Sequence, residues 1–412
     1  MRPLPGKSPL VPHDIPKRFH DFHRIFNPER VAIVGVSGEG FGFGRGILLS
    51  LKAIGYSGDL FPINPNGGFI AGLKIYRAVE EIPGDIDFAI IAVPANKVPE
   101  ALESCRKKGA VGAEIFSSGF KELGTPEGIE LNNRIKKNSS RGIRVLGPNC
   151  FGIYCPKSGL TMLPGPDLSR EPGPVAFLSQ SGGLSIDFAC LGKWQGLRFS
   201  KIVNFGNGCD LRETEMLEYL FHDPDTGIIC LYIEGVASHT ASMGDSRLIW
   251  ESALKQCNAL QVETLQEMSD TALAFSMIPR REYKGLAVVG GGGALGVMAA
   301  DAAESMGLVI PRLRGDVQEK IEEILPQPGS SGANPVDIAN PFVLPENLKK
   351  ILIRASQDEN IDIHVVSLLL YHFKSQALIL EATMQQATPA RELAEACCEA
   401  KKSTKNPSCW CC

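Results

Sequence analysis

His239 lies in the run Val236-Ala237-Ser238-His239-Thr240-Ala241-Ser242-Met243-Gly244, between two glycine-rich turns. These are Ser179-Gln180-Ser181-Gly182-Gly183 and Val289-Gly290-Gly291-Gly292-Gly293. Each follows an apolar stretch and precedes a helical pattern. Each can therefore aim a helix N-terminus, with unpaired amides and about half a positive charge, at an anion. A neutral imidazole is a nucleophile near neutral pH, and its N–P bond is labile enough to pass a phosphoryl group on. A histidine between two such ends is a candidate phosphate carrier. A lone histidine in a Ser/Thr-rich loop is otherwise an ordinary solvated side chain, so its neighbours decide.

A third glycine-rich turn, Gly35-Val36-Ser37-Gly38-Glu39-Gly40-Phe41-Gly42-Phe43-Gly44-Arg45-Gly46, follows an apolar strand and precedes a helix. Bare backbone amides there can approach a phosphate. No register gives a strict G-x-G-x-x-G. The next strand ends Pro62-Ile63-Asn64-Pro65, without the acid that would bind a ribose 2′-OH. NAD is therefore disfavoured against another phosphorylated nucleotide. A loop that merely permits tight helix–strand packing is the plain alternative.

The elements that must hold these turns read as strand, glycine turn, helix, repeated, which predicts an α/β fold with parallel sheets. A loose leader is expected over residues 1–27. A first block over 28–163 has strands Val31–Val36, Leu60–Ile63, Phe88–Val93, Gly112–Phe116 and Arg144–Leu146. Its helices are Gly46–Ile54, Lys97–Lys108 and Pro126–Lys137. Pro164 to Pro174 reads as a linker. A second block over 172–278 has strands Val175–Leu178, Ser200–Phe205 and Gly227–Ile233, with helices Leu184–Gln195, Glu213–Phe221, Arg247–Gln256 and Leu265–Phe275. A third over 283–402 has strands Leu286–Val289, Leu308–Pro311 and Ile363–Leu370, with helices Leu295–Met306, Val317–Ile324 and Arg391–Lys401. Residues 403–412 form an atypical tail.

The 412 residues suffice for two to four domains. A net charge of −4 gives no electrostatic case for nucleic acid or an anionic membrane. No apolar run reaches the ~18 residues of a membrane span, and no secretory signal is legible. The twelve cysteines are mostly scattered singly, as Cys105, Cys190 and Cys230 are, and read as buried thiols in a reducing, cytoplasmic compartment. No metal site is expected. The end, Pro407-Ser408-Cys409-Trp410-Cys411-Cys412, offers only a poor prenylation signal, and an altered reading frame accounts for it at least as well.

Several motifs occur in order: Val31-Ala32-Ile33-Val34-Gly35-Val36-Ser37, Pro62-Ile63-Asn64-Pro65, Ala92-Val93-Pro94-Ala95, Ser117-Ser118-Gly119-Phe120 and Leu146-Gly147-Pro148-Asn149-Cys150-Phe151-Gly152. They continue with the Ser179–Gly183 turn, Leu217-Glu218-Tyr219-Leu220, Tyr232-Ile233-Glu234-Gly235, Ala237-Ser238-His239-Thr240 and Gly332-Ala333-Asn334-Pro335-Val336-Asp337. Together they resemble the NDP-forming acyl-CoA synthetases, the superfamily of succinyl-CoA synthetase. The resemblance implies a Rossmann-like CoA-binding domain followed by two flavodoxin-like domains, the middle one shortened. It implies that Gly35, Ser37, Gly38, Gly42, Gly44, Asn64, Pro65, Val93, Pro94 and Ala95 line the CoA site. His239 matches the phosphorylated histidine, Glu234 the carboxylate that orients its ring, and Glu218 is a second such candidate. Ser181, Gly182, Gly183, Gly292 and Gly293 would hold the phosphate.

The implied reaction converts a small carboxylic acid, CoA and ATP (or GTP) to acyl-CoA, NDP and phosphate. The nucleotide, with Mg, would bind an ATP-grasp beta subunit, since no such block occurs in this chain, so a hetero-oligomer is expected. The third domain on the same chain favours the acetate–CoA ligase type. The chain departs from the family before His239, where only four residues separate it from Glu234. About 30 residues, one helix-plus-strand unit, are missing there, which should remove an internal strand and expose apolar sheet. A catalytically inactive CoA-binding or regulatory protein, or a truncated gene product, is the alternative.

Overall fold

The computed structural model describes residues 15–40, 42–162, 167–234, 247–326, 328–339, 343–368, 390–404 and 410–411. His239 lies outside them. The chain divides into two units, one ending at Ser276 and one beginning at Met277.

The first unit starts with helix α1 (His20–Phe26). Strands β1 (Arg30–Val34) and β2 (Asp59–Ile63) follow, with α2 (Phe43–Ile54) between them. A short hairpin, β3 (Gly68–Ile70) and β4 (Leu73–Ile75), leads to β5 (Phe88–Ile91), α3 (Val98–Lys107), β6 (Gly112–Ile115), α4 (Pro126–Ser139) and β7 (Arg144–Leu146). The parallel sheet has the order β2-β1-β5-β6-β7. Its central strands β1 and β5 are apolar and almost wholly buried, as parallel strands covered on both faces must be. The helix ends follow local chemistry. Gly55 closes α2 in the left-handed region, and the Thr125 hydroxyl accepts the Gly128 N–H at 3.2 Å to open α4.

The loose leader needs correction. Phe19, Phe22, Ile25 and Phe26 are fully buried, an apolar stripe at helical spacing on Lys17–Phe26. Phe22 and Phe26 stack on Tyr219 at 4.8 and 5.2 Å, so α1 is part of the core. Each such ring contributes about 1.5–3 kcal/mol of burial. Beneath it, Lys201 Nζ lies 2.6 Å from Asp223 Oδ2, both side chains 4% exposed, with the Phe26 ring 5.5 Å from the ammonium.

The second sheet of this unit comprises β8 (Gly152–Tyr154), β9 (Pro172–Ser179), β10 (Phe199–Asn204) and β11 (Ile228–Tyr232), with α5 (Gly182–Gln195) and α6 (Glu213–His222) connecting them. The order is β11-β9-β10-β8, with β8 antiparallel to β10 and the rest parallel. Residues 152–154, expected inside the first block, thus pair in the second sheet. Pro172–Pro174 begin β9 rather than ending a linker. Among the described residues β11 pairs with β9 alone, and all five of its residues are half-buried. Helices α7 (Arg247–Gln256) and α8 (Leu265–Met277) follow.

The second unit has a parallel sheet of its own. It contains β12 (Leu286–Gly290), α9 (Gly293–Ser305), α10 (Gly315–Glu322), β13 (Val336–Asp337), α11 (Pro345–Ala355), β14 (Ile363–Ser367), α12 (Ala390–Ser403) and β15 (Trp410–Cys411). The strand order is β13-β12-β14-β15. The expected strand Leu308–Pro311 is reduced to a single bridge from Val309 to Gly285, because Pro311 has no N–H with which to extend a ladder. The unforeseen α11 buries Leu348, Ile351, Leu352 and Ala355. Asn334 accepts the Val288 N–H at 3.0 Å and donates to the Leu286 and Pro311 carbonyls, which accounts for an asparagine in that motif. Part of the tail, Trp410–Cys411, pairs parallel with His364 and Val365. No helix among the described residues is long and apolar enough to cross a membrane.

Candidate functional site

The glycine-rich loop after β1 is shaped by close backbone approach. Gly35 has φ +102°, and a Cβ there would run into the Ala92 carbonyl oxygen. A Cβ on Gly44 would lie 2.6 Å from the Gly35 oxygen, whereas one on Gly38 would meet only ordinary contacts. The Gly35 and Val36 amides donate to the Ile63 carbonyl at 2.9 and 3.1 Å, drawing the loop onto the end of β2. There the Asn64 side-chain oxygen accepts the Asn66 N–H at 3.0 Å in an Asx turn, and Pro65 is exposed. Ser117 Oγ donates to the Val93 carbonyl, tying Val93-Pro94-Ala95 to the loop after β6. The expected CoA-lining segments therefore converge at the C-terminal ends of β1, β2 and β5, where parallel α/β sheets bind ligands.

Two further observations bear on a ligand. The Ser37 hydroxyl is buried without a hydrogen-bond partner among the described residues. It lies beside Gly42, whose Cβ would come within 3.4 Å of it. Arg45, which sequence reasoning passed over, donates to the Gly38 and Ser37 carbonyls and closes the loop on itself. Its position in the first turn of a glycine-led helix was the available signal.

The second candidate turn begins α5. Ser181 is the N-cap in extended conformation, and its carbonyl accepts the Ser179 and Ser185 hydroxyls at 2.8 Å each. Its own side chain makes no capping bond, so the helix start is left to other acceptors. Gly183 is exposed, and among the described residues nothing lies within 4 Å of where a Cβ would stand. Gly182 has no such room, because a Cβ would run into the Phe151 ring.

Glu234, exposed and just beyond β11, comes to this turn through Gln180. The Glu234 N–H donates to Gln180 Oε1 at 3.0 Å, and the Gln180 N–H donates to the Tyr232 carbonyl at 3.0 Å. The role of Gln180 was missed, although the residue stands inside the quoted motif. Glu218 is placed differently: its carboxylate pairs with Arg18 in the N-terminal segment, not with a residue of the Ser181–Gly183 turn. An apolar α6 face buried against α1 turns it that way; its expected part in orienting the histidine concerns His239, which lies outside the described residues.

In the second unit, Gly292 is the extended N-cap of α9 and Gly293 its exposed first residue. Asp337 Oδ2 would lie 2.9 Å from a Cβ on Gly293, so a carboxylate already stands at this positive helix end. Cys150 in the Gly147–Gly152 turn is fully buried. Burial, with Glu114 nearby, pushes its thiol well above the usual range and leaves it inert. No cluster of metal-binding side chains occurs among the described residues.

Residues 29–156 match the CoA binding domain family, and residues 172–238 match the succinyl-CoA ligase like flavodoxin domain. The alpha subunit of acetate–CoA ligase (ADP-forming) I from Pyrococcus furiosus is 34% identical over 76% of this chain and 76% of its own length. Acetate–CoA ligase (ADP-forming) I of Archaeoglobus fulgidus is 33% identical over 82% of this chain, which spans only 54% of that longer protein. Among solved structures, acetyl-coenzyme A synthetase 1 of Candidatus Korarchaeum cryptofilum in its apo form superposes with a TM-score of 0.77 at 28% identity. It covers 94% of this chain and 88% of its own. A Pyrococcus horikoshii protein gives 0.80 at 29% identity, covering 94% and 89%.

Proposed function

Since this chain belongs to the NDP-forming acyl-CoA synthetases, among the ADP-forming acetate–CoA ligases, we propose that it acts as their CoA-binding alpha-like chain. In this role it forms acyl-CoA from a small carboxylic acid, CoA and ATP (or GTP) with an ATP-grasp beta subunit as partner. That partner carries the nucleotide and Mg, so the working unit is a hetero-oligomer, and the compartment is the cytoplasm.

The His239 nitrogen attacks the γ-phosphorus, and NDP leaves. A substrate carboxylate oxygen then attacks that phosphorus, breaking the N–P bond and giving an acyl phosphate. The CoA sulfur, having lost its proton, attacks the acyl carbon and inorganic phosphate departs. Glu234 would orient the imidazole and stabilise its charge. The amides of the α5 N-terminus, at Ser181, Gly182 and Gly183, would face the phosphoryl oxygens, where preorganised dipoles lower the barrier. Gly292 and Gly293 open a second glycine-led helix assigned to the same task.

The observation that carries the reading is the Gln180 bridge, which brings Glu234 beside the α5 start in a chain of this family. CoA fits the first glycine loop. The Ser37 hydroxyl, without a partner among the described residues, offers a bond to a phosphate or ribose oxygen, and the glycines at 35 and 44 let backbone approach closely. Metal is assigned to the partner, not to this chain.

The half-buried β11 strand favours a second reading, in which a chain shortened after Glu234 binds CoA without turning over. ATP-dependent loss of CoA thiol, measured with an ATP-grasp partner across a panel of short-chain acids, separates the two. Turnover supports the ligase. CoA binding without turnover supports the regulatory reading, and NADH binding tighter than CoA contradicts both.

A further inference from the structure

Asn204 ends β10 fully buried, and nothing above gives it a task. Its side-chain oxygen accepts the Phe151 N–H at 2.6 Å, while its amide donates to the Ser179 carbonyl at 2.9 Å and the Gln180 carbonyl at 3.0 Å. These partners belong to two loops: the Gly147–Gly152 turn, which leaves the first sheet, and the turn that starts α5. The Phe151 ring makes a second tie, packing where a Cβ on Gly182 would stand. The Gly147–Gly152 turn is in turn fixed to the first sheet and its loops. Asn149 donates to the Ser117 carbonyl at 2.9 Å, and the Ile153 N–H donates to Glu114 at 3.1 Å. From the second sheet's side, the Asn207 and Cys209 amides after β10 also hold the Pro148 and Gly147 carbonyls, at 3.0 and 2.9 Å.

We propose that Asn204 is a positioning residue that joins the end of the CoA-binding sheet to the phosphate turn, making the two loops one body. What binds at one then keeps a set distance from what binds at the other. The proposal rests on the functional reading above. A primary amide suits the task, since it is neutral, donates twice and accepts. An aspartate would keep the acceptor for Phe151 but set an oxygen against two carbonyl oxygens.

Asn204→Asp and Phe151→Leu in the full chain test this in two arms. In hydrogen exchange, Asn204→Asp should loosen residues 147–153 and 178–186 together while 88–91 stay protected as in the wild type. In the reconstituted enzyme, phosphate uptake should fall far less than the onward transfer does. Transfer onward to acid and CoA should slow by about a hundredfold, as misplacement of reacting groups by about 1 Å does. KM for CoA should barely change. Lowering the pH protonates the aspartate, returns one donor and restores part of the transfer in that variant alone. If Asn204→Asp does not fold, Phe151→Leu, which keeps the backbone bond and loses the ring contact, should show the same split more weakly. Exchange confined to one loop, or equal loss in both half-reactions, overturns the proposal. A wild type that takes up no phosphate overturns the functional reading instead, and the exchange arm alone then decides.

Discussion

Gln180 holds Glu234 by accepting its backbone N–H at 3.0 Å, and so fixes the point from which the chain departs toward His239. Gln180→Leu removes that acceptor and should cost about 1 kcal/mol in urea unfolding. Gln180→Glu keeps the acceptor but adds a negative charge beside the Ser181–Gly183 turn. It should leave stability nearly unchanged and lower phosphate uptake more than the leucine variant does. Equal uptake in both variants would show that the turn does not meet an anion.

The two glycines opening α5 should behave differently. Among the described residues nothing lies within 4 Å of a Cβ on Gly183, so Gly183→Ala should fold normally, with the small gain usual when alanine replaces glycine in a helix, up to about 1 kcal/mol. Any loss of phosphate uptake then reports on backbone access. Gly182→Ala meets the Phe151 ring and should destabilise by about 1–3 kcal/mol as overpacking. Thermal unfolding of both variants beside uptake assays checks the pair.

For CoA, Ser37→Ala should be neutral in stability, since the hydroxyl has no protein partner to lose among the described residues. If the hydroxyl meets the ligand, affinity should fall by about 0.5–1.5 kcal/mol, readable by calorimetry. Gly44→Ala, meeting backbone at 2.6 Å, should lose both stability and CoA binding.

Glu114 is fully buried, and burial holds its carboxyl well above the ordinary 4.5, against one hydrogen bond from Ile153. Below 4.5 both folded and unfolded chains carry the proton. As pH rises, the unfolded chain releases it first, so stability falls until the folded group also ionises. Glu114→Gln cannot titrate. Its advantage over the wild type in denaturant midpoint should grow from pH 5 toward pH 8 and vanish below about pH 4.5. A constant offset across that range would mean that Glu114 is already charged in the folded protein.

Parallel α/β architecture was legible because buried β-branched runs alternate with glycine turns, and the strands at Val31, Phe88 and Leu286 lie where those runs predict. The α1 stripe of Phe19, Phe22, Ile25 and Phe26 was equally present in the sequence, but histidines and arginines between the rings masked it as a polar leader. The place of β8 was not legible, since three residues after a turn carry no sign of which sheet they join. At the site, glycines and Glu234 were identifiable by type, whereas Gln180 and Asn204 act through side-chain bonds to backbone groups distant in sequence. That Glu218 meets Arg18 was not legible either, because helical position alone does not say which neighbour its face will meet.

The most direct measurement is phosphate uptake from γ-labelled ATP by the full chain with an ATP-grasp partner. The account predicts an acid-labile label on His239 that acetate and CoA discharge together, absent in His239→Ala and reduced by about a hundredfold or more in Glu234→Gln. No acid-labile label on the wild type, or equal label on His239→Ala, would contradict it.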